Sequence, residues 1–479
     1  MVARAAVRAA CLFSATIQAY AQIRVMAPDT LVQRFTASQG RIEGSTATFG
    51  APFYGERILG RLVYGDSLNN HTHCLETDYT VPPPDTISHG RYSEVRLIHI
   101  VMVRRGKCSF VTKVKVARKK GAHAVIIVDK ENSVLTAQDI RRIIVADDGY
   151  GDNIDIPSML ISKQDGQALI DAVKQNSQVI IELAWDVPTN HVVIMDLWMS
   201  SASRESQRFL KEFADKRAKL NEAIKFVPHY HVFGMQSTTD YNFLCSTTSA
   251  DYCAEDPDGS GPITGSMVLD EDVRQLCIHE LTKVSRDDLD DAWKHPAKIE
   301  VATKWWDYVK SLGTECPLDG PTEEGRFGRA CSERLQQKVG IDVMAVQDCV
   351  RNTKEKKLQH ERENIAWSPR ALRINGWRYS GTLDADLVTR AICAGFVKQP
   401  DECGQLVEPI DPFKFDARPP PAGVGIGTFI TALLVVAGLT LGALFLYKRS
   451  FTKHIHSALR EEVMLEVQAQ IDTYKQLPS

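Results

Sequence analysis

One uninterrupted apolar run, Gly423 to Tyr447, followed at once by Lys448 and Arg449, constrains this chain more than any other feature. At about 1.5 Å per helical residue, a run of this length matches a hydrocarbon core about 30 Å thick. The sequence therefore predicts one transmembrane helix over 423–447. Basic residues near it are Lys414 and Arg418 before the run, and Lys448, Arg449, Lys453 and Arg460 after it. The positive-inside rule then puts the C-terminus in the cytosol and residues from about 22 to 421 on the lumenal side. At the start, Arg4, Arg8, the apolar stretch Ala9 to Ile17 and the small-x-small Ala19-Tyr20-Ala21 read as a cleavable signal peptide, residues 1–21. Ser14, Thr16 and Gln18 interrupt that stretch, which leaves an amphipathic organelle transit peptide as the rival reading.

Of the 11 cysteines, Cys11 falls in the signal. The remaining ten, Cys74, Cys108, Cys245, Cys253, Cys277, Cys316, Cys331, Cys349, Cys393 and Cys403, all lie on the lumenal side. An even number in an oxidising compartment implies a disulfide framework, whose connectivity spacing alone does not give. No Cys-x-x-Cys pair occurs, which argues against a zinc site. The sequon Asn70-His71-Thr72 is a glycosylation acceptor at Asn70. His71, His73 and Cys74 are too few and too loop-like for a metal centre. A formal net charge of -3 does not suggest nucleic acid as a partner.

A lumenal part of this length exceeds a single core. A break at Trp185 to Asn190 separates residues 22–190 from 191–405; the Pro-rich spacer 406–422 follows, then the span, then a tail at 448–479. In the first domain, the apolar run Leu97 to Val103, the helical spacing of Val111 to Lys120 and the apolar run Ala124 to Val128 predict strand, helix, strand. Between the first two lies a basic loop, Arg104 to Phe110. In the second domain, Val192 to Trp198 predicts a strand and Ser203 to Ala223 a helix with Phe209, Leu210, Phe213 and Leu220 inward. Ser368-Pro369, the strand Ala371 to Ile374 and the turn Asn375-Gly376 come much later.

These residues resemble two known domains. Arg105-Gly106-Lys107-Cys108-Ser109-Phe110, Lys113, Ala117, Gly121-Ala122 and Ile156-Pro157-Ser158-Met159-Leu160-Ile161 are similar to a protease-associated domain. The second set resembles a thioredoxin-like fold in which Ser200-Ser201-Ala202-Ser203 stands where an oxidoreductase carries its dithiol, so no exchange chemistry is expected. Pro369 is then the candidate for a cis proline. Pro228-His229-Tyr230, Tyr252-Cys253-Ala254, Leu276-Cys277, Trp305-Trp306-Asp307-Tyr308-Val309, Cys316-Pro317 and Ala391-Ile392-Cys393-Ala394-Gly395-Phe396 extend the resemblance to the plant-type vacuolar sorting receptor family. The fold expected is an α/β multi-domain chain: a β-rich protease-associated domain, a disulfide-containing thioredoxin-like domain and one transmembrane helix.

The resemblance implies a cargo receptor of the Golgi, trans-Golgi network and endosomal or prevacuolar membranes, not an enzyme. It would bind sorting peptides of soluble proteins noncovalently and deliver them to a vacuole or lysosome through clathrin adaptors. It further implies that Arg105, Gly106, Lys107, Cys108, Ser109 and Phe110 contact cargo and that Cys74 pairs with Cys108. The growth-factor-like repeats of the family are missing, since Cys403 is the last cysteine, which puts calcium dependence in doubt; no cofactor or metal is expected. Asp256-Pro-Asp258-Gly259 lacks a calcium-loop spacing, and the loop Asp147 to Asp155 and the stretch Asp287 to Asp291 read as solvated acidic faces. Trp305 and Trp306 read as core. Tyr474-Lys-Gln-Leu477 has the pattern of a sorting signal that a clathrin adaptor medium chain binds as an extended peptide. Gly423-x-x-x-Gly427 and Gly438-x-x-x-Gly442 are a candidate homodimer face within the span. Lumenal His99, His123, His229 and His231 suggest release of cargo on acidification. The alternative from another class is a resident membrane protein of the secretory pathway with a structural or chaperone-like role.

Overall fold

The computed structural model describes residues 21–409, apart from 36–37, 39, 66–71, 83–85, 90–91, 176–177, 236–241, 247–248 and 286–299, and also residues 430–431, 433–449 and 464. The expected signal peptide up to residue 20, Asn70, His71, the acidic stretch Asp287 to Asp291, most of the expected spacer, Tyr474 and Leu477 lie outside the described residues.

The first domain is a closed barrel. Its elements are β1 (Ala21–Ala27), α1 (Asp29–Arg34), β2 (Arg41–Thr46), β3 (Arg57–Tyr64), β4 (Thr86–His89), β5 (Tyr92–Arg96), β6 (Ile98–Arg104), α2 (Phe110–Lys119), β7 (Ala124–Val128), α3 (Ala137–Arg142), β8 (Ser158–Ile161), α4 (Lys163–Lys174) and β9 (Ile180–Trp185). Barrel order is β1-β2-β8-β7-β6-β3-β9, with β9 returning to β1 and β4–β5 forming a separate hairpin. Strands β3, β6, β7 and β8 run parallel. Parallel strands covered on both faces need unbroken apolar sequence. Accordingly β6, β7 and β8 are buried at every residue. Helix α2 begins at an N-cap, Ser109, whose side chain accepts from Thr112 N–H, and it lays Val111, Val114 and Ala117 on the barrel.

The second domain has a four-stranded sheet in the order β11-β10-β16-β17. Strands β10 (Val193–Met199) and β11 (Ile224–Tyr230) are parallel and joined by α5 (Arg204–Leu220), while β16 (Ala371–Ile374) runs antiparallel to β10 and turns into β17 (Trp377–Arg378). The turn puts Asn375 and Gly376 at φ of 50° and 80°, the two positive values a tight Asn-Gly hairpin requires. A helical insertion occupies the space between β11 and β16. It contains β12 (Cys245–Ser246), β13 (Ser249–Cys253), α6 (Gly265–Thr282), β14 (Val284–Ser285), β15 (Glu300–Val301), α7 (Thr303–Glu315), α8 (Arg329–Val339) and α9 (Val343–Glu363); α10 (Ala385–Ala394) and α11 (Asp401–Leu406) follow β17.

The ten cysteines other than Cys11 form five disulfides: Cys74–Cys108, Cys245–Cys253, Cys277–Cys349, Cys316–Cys331 and Cys393–Cys403. Three of them staple neighbouring helices, α6 to α9, the end of α7 to α8, and α10 to α11. Trp305 and Trp306 are core residues, packed against Phe226 with ring centroids 5.2 and 4.7 Å away. Pro369 corrects one expectation: among the described residues the only cis peptide is Ala27–Pro28, so Ser368–Pro369 is trans. In the loop Asp147 to Asp155, Asp147, Asp148 and Asp152 are exposed, as expected of a solvated face. Asp155 ion-pairs with Arg118, and Asp147 accepts from Gly149 and Gly151 N–H.

Barrel and sheet meet along a seam of specific hydrogen bonds. The Tyr54 hydroxyl donates to Ser380 O (3.1 Å) and accepts from Ser380 N–H (2.9 Å), and Gly381 N–H donates to Ala47 O (2.9 Å). Gly50 N–H donates to Thr382 Oγ1 (3.1 Å), while Thr382 N–H returns a bond to Gly50 O (2.9 Å).

Residues Phe413–Ser479 form a separate unit. Within it residues 433–449 are helical, with Leu433, Leu434, Leu441 and Phe445 among its exposed apolar side chains. No helix among the described residues is long and apolar enough to cross a membrane.

Candidate functional site

The loop after β6 is held by several polar contacts. Strand β6 ends at Arg104, whose guanidinium is buried and donates through Nη2 to Gln167 Oε1, with Nε 3.5 Å from Glu131. Arg105 keeps the loop on the barrel by donating N–H to Val128 O at 2.8 Å. Its guanidinium bonds Asp129 Oδ1 at 3.1 Å and lies 5.3 Å from the Phe110 ring centroid. Asp129 in turn accepts from Ser133 Oγ. The chain then reverses in a three-residue turn: Cys108 N–H donates to Gly106 O (2.9 Å), with Gly106 at φ 127° and Lys107 at φ 67°. Positive φ is strained for a residue with a Cβ, so Lys107 is held there by its surroundings. Its side chain is exposed. Ser109 caps α2 and Phe110 is its first residue.

Beneath this turn lies a buried scaffold. Cys108 is tied to Cys74, and Asp78 accepts from Cys74 N–H (2.8 Å) and Leu75 N–H (3.1 Å). The Thr72 hydroxyl bonded to Asp78 is the chief cause that holds this carboxyl below the usual range. Lys113 reaches from α2 to donate to Thr72 O, with Nζ 3.6 Å from Cys74 Sγ; burial pulls this amine down to about 8, against the opposing Asp78 charge. His73 is wholly buried between Tyr64 and Tyr79. Its Nε2 bonds Gly65 O (2.6 Å) and its Nδ1 accepts from Arg104 N–H (3.3 Å), which fixes the Nε2–H tautomer.

The structure therefore brings all six residues of the loop, Arg105 to Phe110, onto one turn with the Cys74–Cys108 disulfide behind it. Nothing local in the sequence marks Asp129, Asp78, His73 or Lys113 as its supports. Asp129, His73 and Lys113 bond partners 24 or more residues away, and a Lys or Asp read alone belongs to the surface. His99 and His123 lie elsewhere. His123 Nδ1 accepts from His99 N–H (3.1 Å) near the start of β6. At about 3.3 Å per strand residue, that is some 16 Å from Arg104.

In the second domain, Ser200 to Ser203 connect β10 to α5 at the expected dithiol position. Ser203 caps α5, and Ser201 N–H donates to Asp272 Oδ1 at 3.0 Å. Burial pushes the Asp272 carboxyl up to about 8, with Glu271 and Glu361 adding to it and Ser201 opposing. Glu361 accepts from Tyr230 N–H (2.8 Å) and faces His229 Nδ1 (3.3 Å). Trp198 stacks on His229 at 4.5 Å. Asp272 Oδ2 is buried without a hydrogen-bond partner among the described residues, and Ser200, Ser201 and Ser203 put hydroxyls where the resemblance to an oxidoreductase would place its thiols.

Residues 58–169 match the family model of the PA domain, and residues 193–393 match that of the vacuolar sorting receptor thioredoxin-like domain. Vacuolar-sorting receptor 1 of Pisum sativum is 27% identical over 391 residues, 76% of this chain and 58% of that protein. Vacuolar-sorting receptor 2 of Arabidopsis thaliana is 27% identical over 403 residues, 78% of this chain and 59% of that protein. The chain thus spans under two thirds of the length of the curated relatives it matches. A solved structure of oxidised Mtb DsbA overlaps 46% of this chain and 93% of its own at 12% identity, with a TM-score of 0.27, too low to bear on the fold.

Proposed function

Since the chain belongs to the vacuolar-sorting receptor family, we propose that it is a membrane cargo receptor. It binds sorting peptides of soluble proteins in the Golgi lumen and delivers them to a vacuole or lysosome-like compartment. The observation that carries the reading is the turn Arg105 to Phe110: a basic, partly exposed loop pinned by a disulfide, a helix cap and an ion pair to a buried carboxylate. A pre-ordered loop loses little entropy when a peptide docks. Arg105 offers its remaining N–H groups, and Lys107 its charge, to carbonyls and carboxylates of the ligand. Recognition of this kind is binding without bond making, so the protein acts as a receptor and not as an enzyme.

The domain plan belongs to the same proposal: signal peptide 1–21, cargo-binding barrel 22–190, thioredoxin-like domain 191–405, spacer 406–422, a single span over 423–447 and a cytosolic tail. In that tail Tyr474 and Leu477 engage a clathrin adaptor as an extended peptide, the ring and the apolar side chain each filling a pocket. Asn70 carries glycan, and the glycine spacings of the span bring two copies together.

The test is capture of soluble lumenal proteins by the full-length chain, beside Arg105→Gln and the tail variant Tyr474→Ala/Leu477→Ala. Capture of hydrolases or storage proteins by the parent, lost at least tenfold in Arg105→Gln and kept in the tail variant, supports the assignment. Undiminished capture by Arg105→Gln moves the site away from this loop. An unaltered cellular distribution of the tail variant favours a resident protein over a shuttling one.

A further inference from the structure

Barrel and thioredoxin-like sheet enclose a pocket of about 250 Å³ at their seam, away from the loop after β6. Its walls include Trp185, Val187 and Trp377, with Tyr54, Arg141 and Arg378 among its polar residues. At about 30 Å³ per water this is room for about eight waters, or one amino-acid residue with its side chain, somewhat below a drug-sized site.

The hydrogen-bonding capacity of most of these groups is already spent. The Tyr54 hydroxyl both donates to and accepts from Ser380 backbone. Trp185 Nε1 donates to Thr46 Oγ1 (3.2 Å). Arg141 is neutralised by Glu43 at 2.8 Å, and Asp186, at the rim, faces Arg57 at 4.0 Å. Arg378 is the exception. Nη2 donates to Ser45 Oγ (3.0 Å), and among the described residues no carboxylate lies within ion-pair distance of this guanidinium. Its guanidinium also lies 6.0 Å from the Trp367 ring centroid, but a half-buried cation whose polar partner is one hydroxyl has lost hydration without gaining a counter-charge. Burial accordingly pulls the Arg378 pKa down, and only Tyr54 works against it.

We propose that this seam pocket binds a single carboxylate-bearing residue with an aromatic or large apolar side chain, the carboxylate on Arg378 and the side chain against Trp185 and Trp377. A carboxylate supplies the charge the pocket lacks, and the fork of the guanidinium fits it with two parallel hydrogen bonds. The body of such a ligand covers tryptophan surface. Because the walls come from both domains, the ligand would also clamp barrel to sheet. The site does not depend on cargo binding at Arg105, and it stands or falls independently of that assignment.

The test titrates the full-length chain with N-acetyl-phenylalanine, its amide N-acetyl-phenylalanine amide, and the tripeptide Gly-Gly-Phe, read by calorimetry. N-acetyl-phenylalanine should bind at least tenfold more tightly than the amide. That preference should vanish in Arg378→Gln and survive in Ser45→Ala, which removes the intramolecular tie but leaves the cation. Binding of Gly-Gly-Phe as well identifies the ligand as a peptide C-terminus, and its failure beside a binding acid identifies a free small carboxylate. Equal affinity for acid and amide overturns the proposal, as does undiminished acid binding by Arg378→Gln or no binding of either carboxylate at millimolar concentration. Should Arg378→Gln not fold, the acid-to-amide ratio on the unaltered chain decides alone.

Discussion

Arg105 and Asp129 form an ion pair of very unequal exposure: Nη1 and Oδ1 are 3.1 Å apart, with 28% of the arginine side chain accessible and 1% of the aspartate. The buried carboxylate fixes one edge of the guanidinium, and the proposed binding role uses the other. Under the proposed binding role, deleting Arg105 does two things, since it removes a ligand contact and strands a buried charge, the latter costing about 3 kcal/mol. Arg105→Ala should lower the urea midpoint, and adding Asp129→Asn should recover most of that loss. Neither variant should capture cargo. A double variant that regains both stability and capture would relieve Arg105 of any binding role.

The disulfide behind the turn closes a loop with a sequence separation of 34. In the chain-entropy model a loop of that size contributes about 4 kcal/mol. Cys74→Ser/Cys108→Ser should lose stability on that scale, with peptide affinity falling further than the melting shift predicts because Lys107 is no longer forced to positive φ. Denaturation with calorimetric titration of a bound cargo peptide separates the two effects. Equal peptide affinity at a temperature where both proteins are folded would show that the turn holds its shape without the bridge.

What the sequence announced and what it hid follow from where each signal resides. The parallel strands β6 and β7 lie within one residue of the apolar runs that predicted them, and β16 coincides with Ala371–Ile374, because strands buried on both faces cannot hide among polar residues. Ser203, the cap of α5, stands where that helix was expected to begin, and Ser109 caps α2 two residues ahead of its expected start at Val111. Closure of the barrel was not legible. It rests on β1 pairing with β9, Ala21 opposite Trp185, a register that no local pattern encodes. Helix α6 was missed for a related reason: Glu271, Asp272, Arg274 and Gln275 look like a solvated face but are buried among Tyr308, Ser201 and Tyr230. Lys113 and Asp129, the buried charges beside the turn, share this property, since burial of a charge is decided by partners far away in sequence.

Tyr54 carries the most concentrated link across the seam, with its hydroxyl bonded to both backbone groups of Ser380 and its ring stacked on Tyr379 at 5.4 Å. Tyr54→Phe keeps the stacking but leaves Ser380 N–H and C=O buried without partners, at about 1–3 kcal/mol for each such group. The barrel and the sheet domain should then melt in two calorimetric steps where the parent shows one. A single transition displaced as a whole would mean that the bonds around Gly50 and Thr382 suffice to couple the domains.

Asp272 makes stability fall with rising pH. Burial pushes its carboxyl up to about 8, whereas in the unfolded chain it titrates near 3.9. Between about pH 4 and pH 8 the folded state thus holds one proton more than the unfolded state. Stability from this group is complete below pH 4 and is lost at up to about 1.4 kcal/mol per pH unit as pH rises toward 8. His279 has the opposite sign: burial pulls it down to about 3, so its contribution is lost as pH falls below about 6.5. The two slopes oppose each other in the unaltered protein, which is why a variant is needed to see either. Asp272→Asn keeps an oxygen for Ser201 N–H and removes the titration, while its new amide hydrogens add an offset that does not depend on pH. Subtracting parental from variant stability at pH 5, 6.5 and 8 should give a difference that climbs steadily with pH. A difference independent of pH would mean that Asp272 does not change its protonation between these values.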